Sequence, residues 1–403
     1  MTTSCQVAVR TALIPLLLAL PVTVRSQDTT RAKRDTTPSP VQTPPPAVTP
    51  TLPFDFSGVL FASYQTGGTK TERRTSQQNR FDLDRAYLNF RAPAGDHMSI
   101  RVTTDVYQQR DSTRDQYYRG WAVRLKYAYA QYDYIRNPGA ELKAVARLGM
   151  LHTPIIDWEE QYWPRGIAQT AVEMNGYFSS SDLGFTTLVT MPNRWGELYG
   201  GVYNGSGYTS RENDRFKDYG ARLTFTPFTS GHSILRTLAI SPWGYLGLKA
   251  SDFLRGPGSL DPVTQGREKN RFGVHVGIRD PRIVIGSQFA WKVEEFESVA
   301  DTITVRFPTV TSRTAPLISS YTLLKPLAFF NSAPNWPINL VFRYDHVQPD
   351  KTTPPYQQFI IGGIGIDLNK RAQLWLDYQD QDPKNGSTAA DLKTLFVQAI
   401  VNF

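Results

Sequence analysis

From Phe54 onward the chain repeats one pattern: about ten residues in which apolar and polar side chains alternate, followed by a break. Side chains alternate across a β-strand with a period of two, so each segment offers one apolar face and one mixed or polar face. Phe54 to Gln65 sets Phe54, Phe56, Leu60, Ala62 and Tyr64 against Asp55, Ser57, Ser63 and Gln65. Phe81 to Ala92 sets Ala86, Leu88 and Phe90 against Arg85, Tyr87, Asn89 and Arg91. Next, Ile100, Val102, Thr104 and Val106 oppose Arg101, Thr103, Asp105 and Tyr107. Trp121 to Tyr134 puts Val123, Leu125, Tyr127 and Tyr129 opposite Arg124, Lys126, Ala128 and Ala130. Leu142 to His152 places Leu142, Ala144, Ala146, Leu148 and Met150 opposite Lys143, Arg147 and Gly149.

Further strands are expected at 181–191, 195–204, 217–228, 234–250, 269–280, 282–296, 315–331, 336–347, 357–368, 370–380 and 391–403, which makes about sixteen, an even number. Ile303 to Phe307 also read as a strand, and counting 301–308 would upset that number. The connections alternate in length. Short turns fall near 93–95, 136–141, 192–194, 229–233, 280–281, 332–335 and 368–370. Long loops fall near 66–79, 109–118, 153–180, 204–216, 251–268, 297–314, 348–356 and 381–390. A soluble propeller or sandwich gives no reason for that alternation. An all-β transmembrane antiparallel barrel, with short periplasmic turns and long extracellular loops, does.

Leu392 to Phe403 suits the closing strand of such a barrel. Leu395, Val397, Ala399, Val401 and Phe403 share one face, while Thr394, Gln398 and Asn402 share the other with Phe396 and Ile400. A soluble sandwich can end on a similar strand, so the loop lengths carry the assignment. In the barrel reading the polar residues face pore water, and Phe403 forms part of a signal for the barrel-assembly machinery.

The first 26 residues read as a secretory signal: Arg10 supplies a positive start, and Thr11 to Val24 is an apolar run too short to span a membrane comfortably. Val24-Arg25-Ser26 precede a cut at Gln27. Cys5 is the one cysteine and leaves with the signal, which removes thiol catalysis and disulfides from the mature chain. From Gln27 to Pro53, seven prolines among Thr, Ser and Val predict an extended, disordered periplasmic linker, leaving 54–403 for the barrel. Mean hydropathy is −0.37, which by itself suggests a soluble protein. Barrels defeat that test, because only every second residue faces lipid. The formal charge is +8. A secretory signal argues against nucleic acid as the partner, which leaves small anions.

Several segments resemble the phosphate-selective porin family, the porin O and P group. Arg85 to Phe90 is similar to its second strand, and Ala146 to Pro154 to the strand that leads into its third loop. Gly201 to Gly207 resembles its Asn-Gly loop opening; Val341 to Asp345 and Gly363 to Asn369 resemble its late strands. The likeness covers most of 54–403. It implies a sixteen-stranded barrel, usually trimeric, with the third loop folded inward as a constriction. It also implies lysines and arginines near that constriction in phosphate-selective members. Here the third loop departs from the pattern: Asp157, Glu159, Glu160 and Glu173 outnumber Arg165.

With the larger apolar face toward lipid, the basic lumen candidates are Arg85, Arg91, Arg101, Arg124, Lys126, Lys143, Arg147, Arg222 and Arg343, with Arg271, Arg279, Arg282, Lys292 and Arg371. The acidic ones are Asp55, Asp105, Glu294, Asp345 and Asp377. An arginine or lysine on the lipid face costs about 2–4 kcal/mol at mid-membrane, which constrains these residues to the interior. Cations lining a narrow pore attract anions. Facing an acidic third loop, they also set up a transverse field that orients dipolar solutes. The bland alternative is that each arginine pairs with a lumen or loop carboxylate and fills space. Arg101, Arg124, Lys126 and Arg147 form the cluster best placed to line the pore.

Catalytic and metal readings find little. No pair among His97, His152, His232, His275 and His346 has metal-ligand spacing, although His152 lies near Asp157 and Glu159. Gly362-Gly363-Ile364-Gly365 has no helix after it, so close strand packing accounts for it better than a phosphate cradle. Trp121, Trp195, Trp243 and Trp375 suit interfacial girdles, although Trp375 falls on the lumen face. The expected function is an outer-membrane porin for passive diffusion of small hydrophilic solutes, anion-preferring, with phosphate-like anions in range. The alternative is an occluded barrel that binds a partner. No enzyme activity, cofactor or metal is expected. The expected partners are outer-membrane lipid, small anionic or polar solutes, the assembly machinery and copies of the chain in a homotrimer.

Overall fold

A chain that crosses lipid by strands must pair every backbone polar group within the protein, and only a closed sheet leaves no edge. The computed structural model describes residues 54–70, 75–108, 120–136, 142–212, 214–230, 233–251, 266–298, 309–330 and 336–403. The expected signal (1–26) and the expected linker (27–53), with the segment 301–308 and His232, lie outside the described residues. Among the described residues, sixteen antiparallel strands form one closed sheet, counting Ala239–Leu246 and Leu248–Ala250 on either side of Gly247 as one. Each strand pairs with its neighbours in the chain. The first, Asp55–Lys70, closes on the last, Asp391–Asn402, from Val59 opposite Asn402 to Lys70 opposite Asp391. No helix among the described residues is long and apolar enough to cross a membrane.

Turn chemistry explains the short ends. Asn369 Oδ1 accepts the backbone N–H of Arg371 and of Ala372 at 2.8 and 3.0 Å, which reverses the chain before Ala372–Lys384. Asp280 Oδ1 accepts the Arg282 N–H at 3.0 Å between Gly266–Asp280 and Ile283–Ser298. Asx acceptors of this kind stand in for a backbone turn bond.

The expected strands are present, with several boundaries and faces corrected. Thr66–Lys70 and Thr75–Asn79 are paired strand rather than loop. Backbone pairing extends that hairpin through polar sequence, because an apolar face is required only where lipid touches it. The strand expected at 315–331 runs instead from Thr309 to Leu324 and is followed by a 3-10 turn, Pro326–Phe329. The strand expected from 234 begins at Ala239, after a 3-10 turn at Ile234–Thr237. Tyr127 and Tyr129 do not share the lipid face of Val123 and Leu125. Thr104 pairs with Leu125 and Thr103 with Tyr127, so Lys126 is an extra residue and a β-bulge. Val123 and Leu125 are 66% and 48% exposed, whereas Lys126 and Tyr127 are 3% and 4% exposed. One inserted residue inverts every later side chain. Trp243 and Trp375 are buried inside the barrel and take no part in a girdle; Trp121 and Trp195 are exposed. The Trp375 ring lies over Gly365, which accounts for that glycine.

The outside of the sheet is apolar and the inside is mostly polar, yet the barrel contains a packed apolar core. Among the described residues, the third long connection, 153–180, supplies ten of its 24 buried residues. Ile155, Ile156, Trp163, Ile167, Ala171 and Val172 of this loop pack against Phe61, Tyr321, Val341, Ile361 and Ile400 of the wall. Burying a large apolar side chain stabilises by roughly 1.5–3 kcal/mol, so these residues hold the loop inside without a covalent tie. A Cβ at Gly166 would stand 2.5 Å from Ile400, which is how near the loop comes to the closing strand. Polar anchors complete the attachment. The Arg343 guanidinium (1% exposed) donates to the Gln169 carbonyl at 2.6 Å and to Asp345 (0% exposed) at 2.6 Å. Gln379 and Gln398 both donate to the Ile167 carbonyl, at 3.1 and 3.0 Å. Gln398 therefore binds the loop and does not face open water.

Two predictions follow from this packing. Gly58 exchanges backbone hydrogen bonds with Phe403 and lies under its ring, where a Cβ would be 2.3 Å from the ring carbon. Gly58→Val should destabilise the seam by about 1–3 kcal/mol through overpacking. The temperature at which the folded band converts in an unheated-to-heated gel series should fall, and an unchanged conversion temperature would contradict this packing. Arg343→Ala leaves Asp345 buried without a counter-charge, which costs about 3–5 kcal/mol. Cleavage by added protease within 153–180 should speed up; protection equal to that of the parent would mean the loop does not depend on this anchor.

Candidate functional site: the charged lumen wall

The second to fifth strands, Thr75–Pro93, Met98–Gln108, Trp121–Arg136 and Lys143–His152, carry the cationic wall. Cross-strand register places its side chains in tiers. In the tier nearest the long loops, the Asp105 carboxylate is fully buried between Arg85 at 3.2 Å and Arg124 at 2.9 Å. Tyr208, from the connection after Gly196–Tyr203, donates to Asp105 at 3.3 Å and accepts from Arg124 at 3.0 Å. The Arg124 guanidinium also stacks on the Tyr107 and Tyr208 rings, at 4.0 and 4.6 Å from their centroids. One carboxylate thus serves two of the cations expected to line the pore.

The middle tier is the bulge. Lys126 Nζ lies 4.3 Å from the Tyr87 centroid and 5.4 Å from that of Tyr127. No carboxylate among the described residues reaches it within ion-pair distance. Ring faces carry negative potential and hold a cation without neutralising it.

The tier nearest the short turns holds Arg91, Arg101 and Arg147, and none of the three makes an ion pair among the described residues. Arg91 and Arg101 are register partners. Arg101 spends two N–H groups on neutral acceptors, Thr103 at 3.1 Å and Asn89 at 3.2 Å, and its Nη1 lies 3.3 Å from His152 Nε2. Arg147 donates to Gln131 at 2.9 Å. Their guanidiniums lie over Tyr127 and Tyr129, at 4.8 and 5.4 Å. With Asp55, Asp157 and His152 they line a cavity of 710 Å³. Lys143 is exposed at the short-turn end of its strand.

The remaining candidates are distributed differently. Arg222 pairs with Glu197 at 3.1 Å and donates to the Pro154 carbonyl at 2.8 Å, so it anchors the start of the inward loop, as Arg343 anchors its middle. Within the loop, Arg165 is clasped by Glu160 and Glu173 and donates to Tyr87 at 3.2 Å. Glu159 is buried on the side of the loop turned toward Arg343 and Tyr321, and burial pushes its carboxyl up to about 8. Of the four loop acids, Asp157 is the one with a half-exposed side chain, at 51%. The acidic excess in the loop therefore does not become a strongly acidic surface. His152 Nε2 lies 3.3 Å from Asp157, and no group of three metal-ligating side chains occurs among the described residues.

Sequence reasoning found most of these cations and missed the tyrosines that hold them. Tyr127 and Tyr129 were hidden by the bulge, and Tyr208 by its distance along the chain.

Neither a protein-family model nor a curated protein sequence matches the chain. Solved structures do. The chain is similar to the anion-selective porin from Comamonas acidovorans, with 8% identity and a TM-score of 0.58 over 87% of this chain and 99% of that one. The outer-membrane channel DcaP of Acinetobacter baumannii is 14% identical, with a TM-score of 0.56 over 87% and 97% of the two chains. Pseudomonas putida OprB is 10% identical, with a TM-score of 0.55 over 87% and 94%. At these identities the likeness concerns the fold: a porin-type transmembrane β-barrel, of which this chain spans nearly the whole.

Proposed function

We propose that this barrel is an outer-membrane porin that passes small hydrophilic solutes by diffusion and prefers anions. One observation carries the preference: Arg91, Arg101 and Arg147 line one cavity without a carboxylate in ion-pair reach among the described residues. Unneutralised cations in a narrow passage raise the local concentration of anions and lower their barrier. Bacterial outer-membrane localisation, entry through a secretory signal and insertion by the barrel-assembly machinery belong to the same reading. So does a homotrimer, since one similar structure, of Vibrio cholerae OmpT, is described as a trimer form. The similar Comamonas acidovorans barrel is described as anion-selective, which supports the preference.

Phosphate-like anions fall within the class. The loop basic residue that the family resemblance would enlist, Arg165, is already held by Glu160 and Glu173, so the reading favours a broad anion preference over phosphate selectivity. The competing reading, a barrel closed by its own loop, draws on the apolar core that fills much of the interior.

Conductance across a planar bilayer separates the two. A salt gradient should give a reversal potential of anion-selective sign; absence of conductance would support the closed barrel, and cation-selective sign would remove the anion preference alone. Charge removal ranks the cations. Arg101→Gln should move the reversal potential further toward cation selectivity than Arg85→Gln, because Arg85 is already paired with Asp105. Equal shifts would mean that ion pairing does not decide which arginines act on the solute.

A further inference from the structure

We propose that the 710 Å³ cavity at the short-turn end is a subsite for small zwitterions of the α-amino-acid type, whose carboxylate meets Arg101 and Arg147 and whose ammonium meets Asp157. The inference rests on the porin reading and names a solute class that a simple anion preference does not select.

The guanidinium side is well defined. Arg101 donates to Thr103 and Asn89 and Arg147 to Gln131, so both retain further donors, and both line the cavity. Stacking on Tyr127 and Tyr129 sets the planes of the two groups. A planar fork held in this way matches the geometry of a carboxylate better than a mobile ammonium would. Neutral Asn89, Thr103 and Gln131 hold the arginines, so holding them leaves their charge intact.

The opposing charge is close by. Arg101 Nη1 and Asp157 Oδ1 each lie 3.3 Å from the same atom, His152 Nε2. The cationic and anionic ends are therefore separated by no more than two such contacts. The two charges of an α-amino acid are separated by a single carbon, which suits that spacing. Asp157 is half-exposed, whereas Glu159, Glu160 and Glu173 are turned into the packed core or bound to Arg165. His152 is itself fixed, because its carbonyl accepts from Tyr199 at 2.7 Å and Tyr203 at 3.2 Å. Positive and negative groups thus line one cavity within reach of each other. Such a pair favours a dipole that enters in the right orientation, and a plain anion gains from the arginines while being repelled by Asp157.

Three probes of one size separate the possibilities: alanine (zwitterion), lactamide (neutral) and lactate (anion). Their isotopic fluxes are measured in proteoliposomes that contain the full barrel. Alanine should cross several-fold faster than lactamide. Asp157→Asn should abolish that advantage and raise lactate flux, and Arg147→Gln should lower alanine and lactate together. Folding of each variant is checked by the heat-dependent gel shift. If alanine and lactamide cross equally in the parent, or if a folded Asp157→Asn variant keeps the alanine advantage, the subsite is refuted while the porin reading stands. If none of the three probes crosses, the porin reading fails and the subsite with it.

Discussion

The whole molecule depends on the seam where the first strand meets the last. In hydrocarbon an unpaired backbone group costs several kcal/mol, so an open sheet of this length has no stable place in a membrane. Twelve consecutive register pairs, from Val59–Asn402 to Lys70–Asp391, remove both edges together. Closure then determines what each side chain meets. Outward positions such as Leu148, Phe185, Leu223 and Ile364 remain exposed on the chain because their solvent is lipid. Inward positions must satisfy polar groups within a confined space, and that is where the chemistry collects.

Confinement explains why the lumen has its own apolar core. A loop that turns inward brings backbone carbonyls with it, and these need donors. Arg222, Arg343, Gln379 and Gln398 provide them from four different strands. Arg222, Arg343 and Gln398 read as pore-lining in the sequence, yet each faces the loop. The rest of the loop buries aromatic and aliphatic side chains against the opposite wall. The loop therefore fills part of the lumen with packed side chains, and the cavity lined by Arg91, Arg101 and Arg147 remains beside it.

Strand number, strand order and the inward-facing charges were legible because they depend on a local period of two and on turn residues close in sequence. The neutralisation pattern was not. Asp105 is fixed by Arg85, Arg124 and Tyr208, which lie on separate strands and a distant loop. Arg165 and its two glutamates sit on one loop, but their mutual clasp depends on how that loop turns. Counting charges along the chain suggests a broadly basic wall against an acidic loop. The fold leaves a smaller set of charges facing one cavity: Arg91, Arg101 and Arg147 with Asp157 and Asp55.

The bulges show why the alternation rule fails where it does. A regular strand sends every second side chain inward, which limits how much chemistry one level of the lumen can hold. An extra residue relaxes that limit. At Lys126 it turns two consecutive side chains inward, so a cation and one of the rings that hold it are neighbours in sequence. Two strands away, on Thr75–Pro93, Arg85 pairs with Phe61 and Leu83 with Ala62, so Asp84 is extra there, and Asp84 and Arg85 line the same 470 Å³ cavity. Both lie on the cationic wall; a third, at Tyr134 between Asp133 and Ile135, lies near the short-turn end of the Lys126 strand and carries an exposed ring instead. A bulge costs ladder bonds and local twist, and its benefit at this wall is inward side chains that a regular strand could not supply. The departures from period two at Asp84 and Lys126 therefore mark the part of the barrel where the lumen is most densely functionalised.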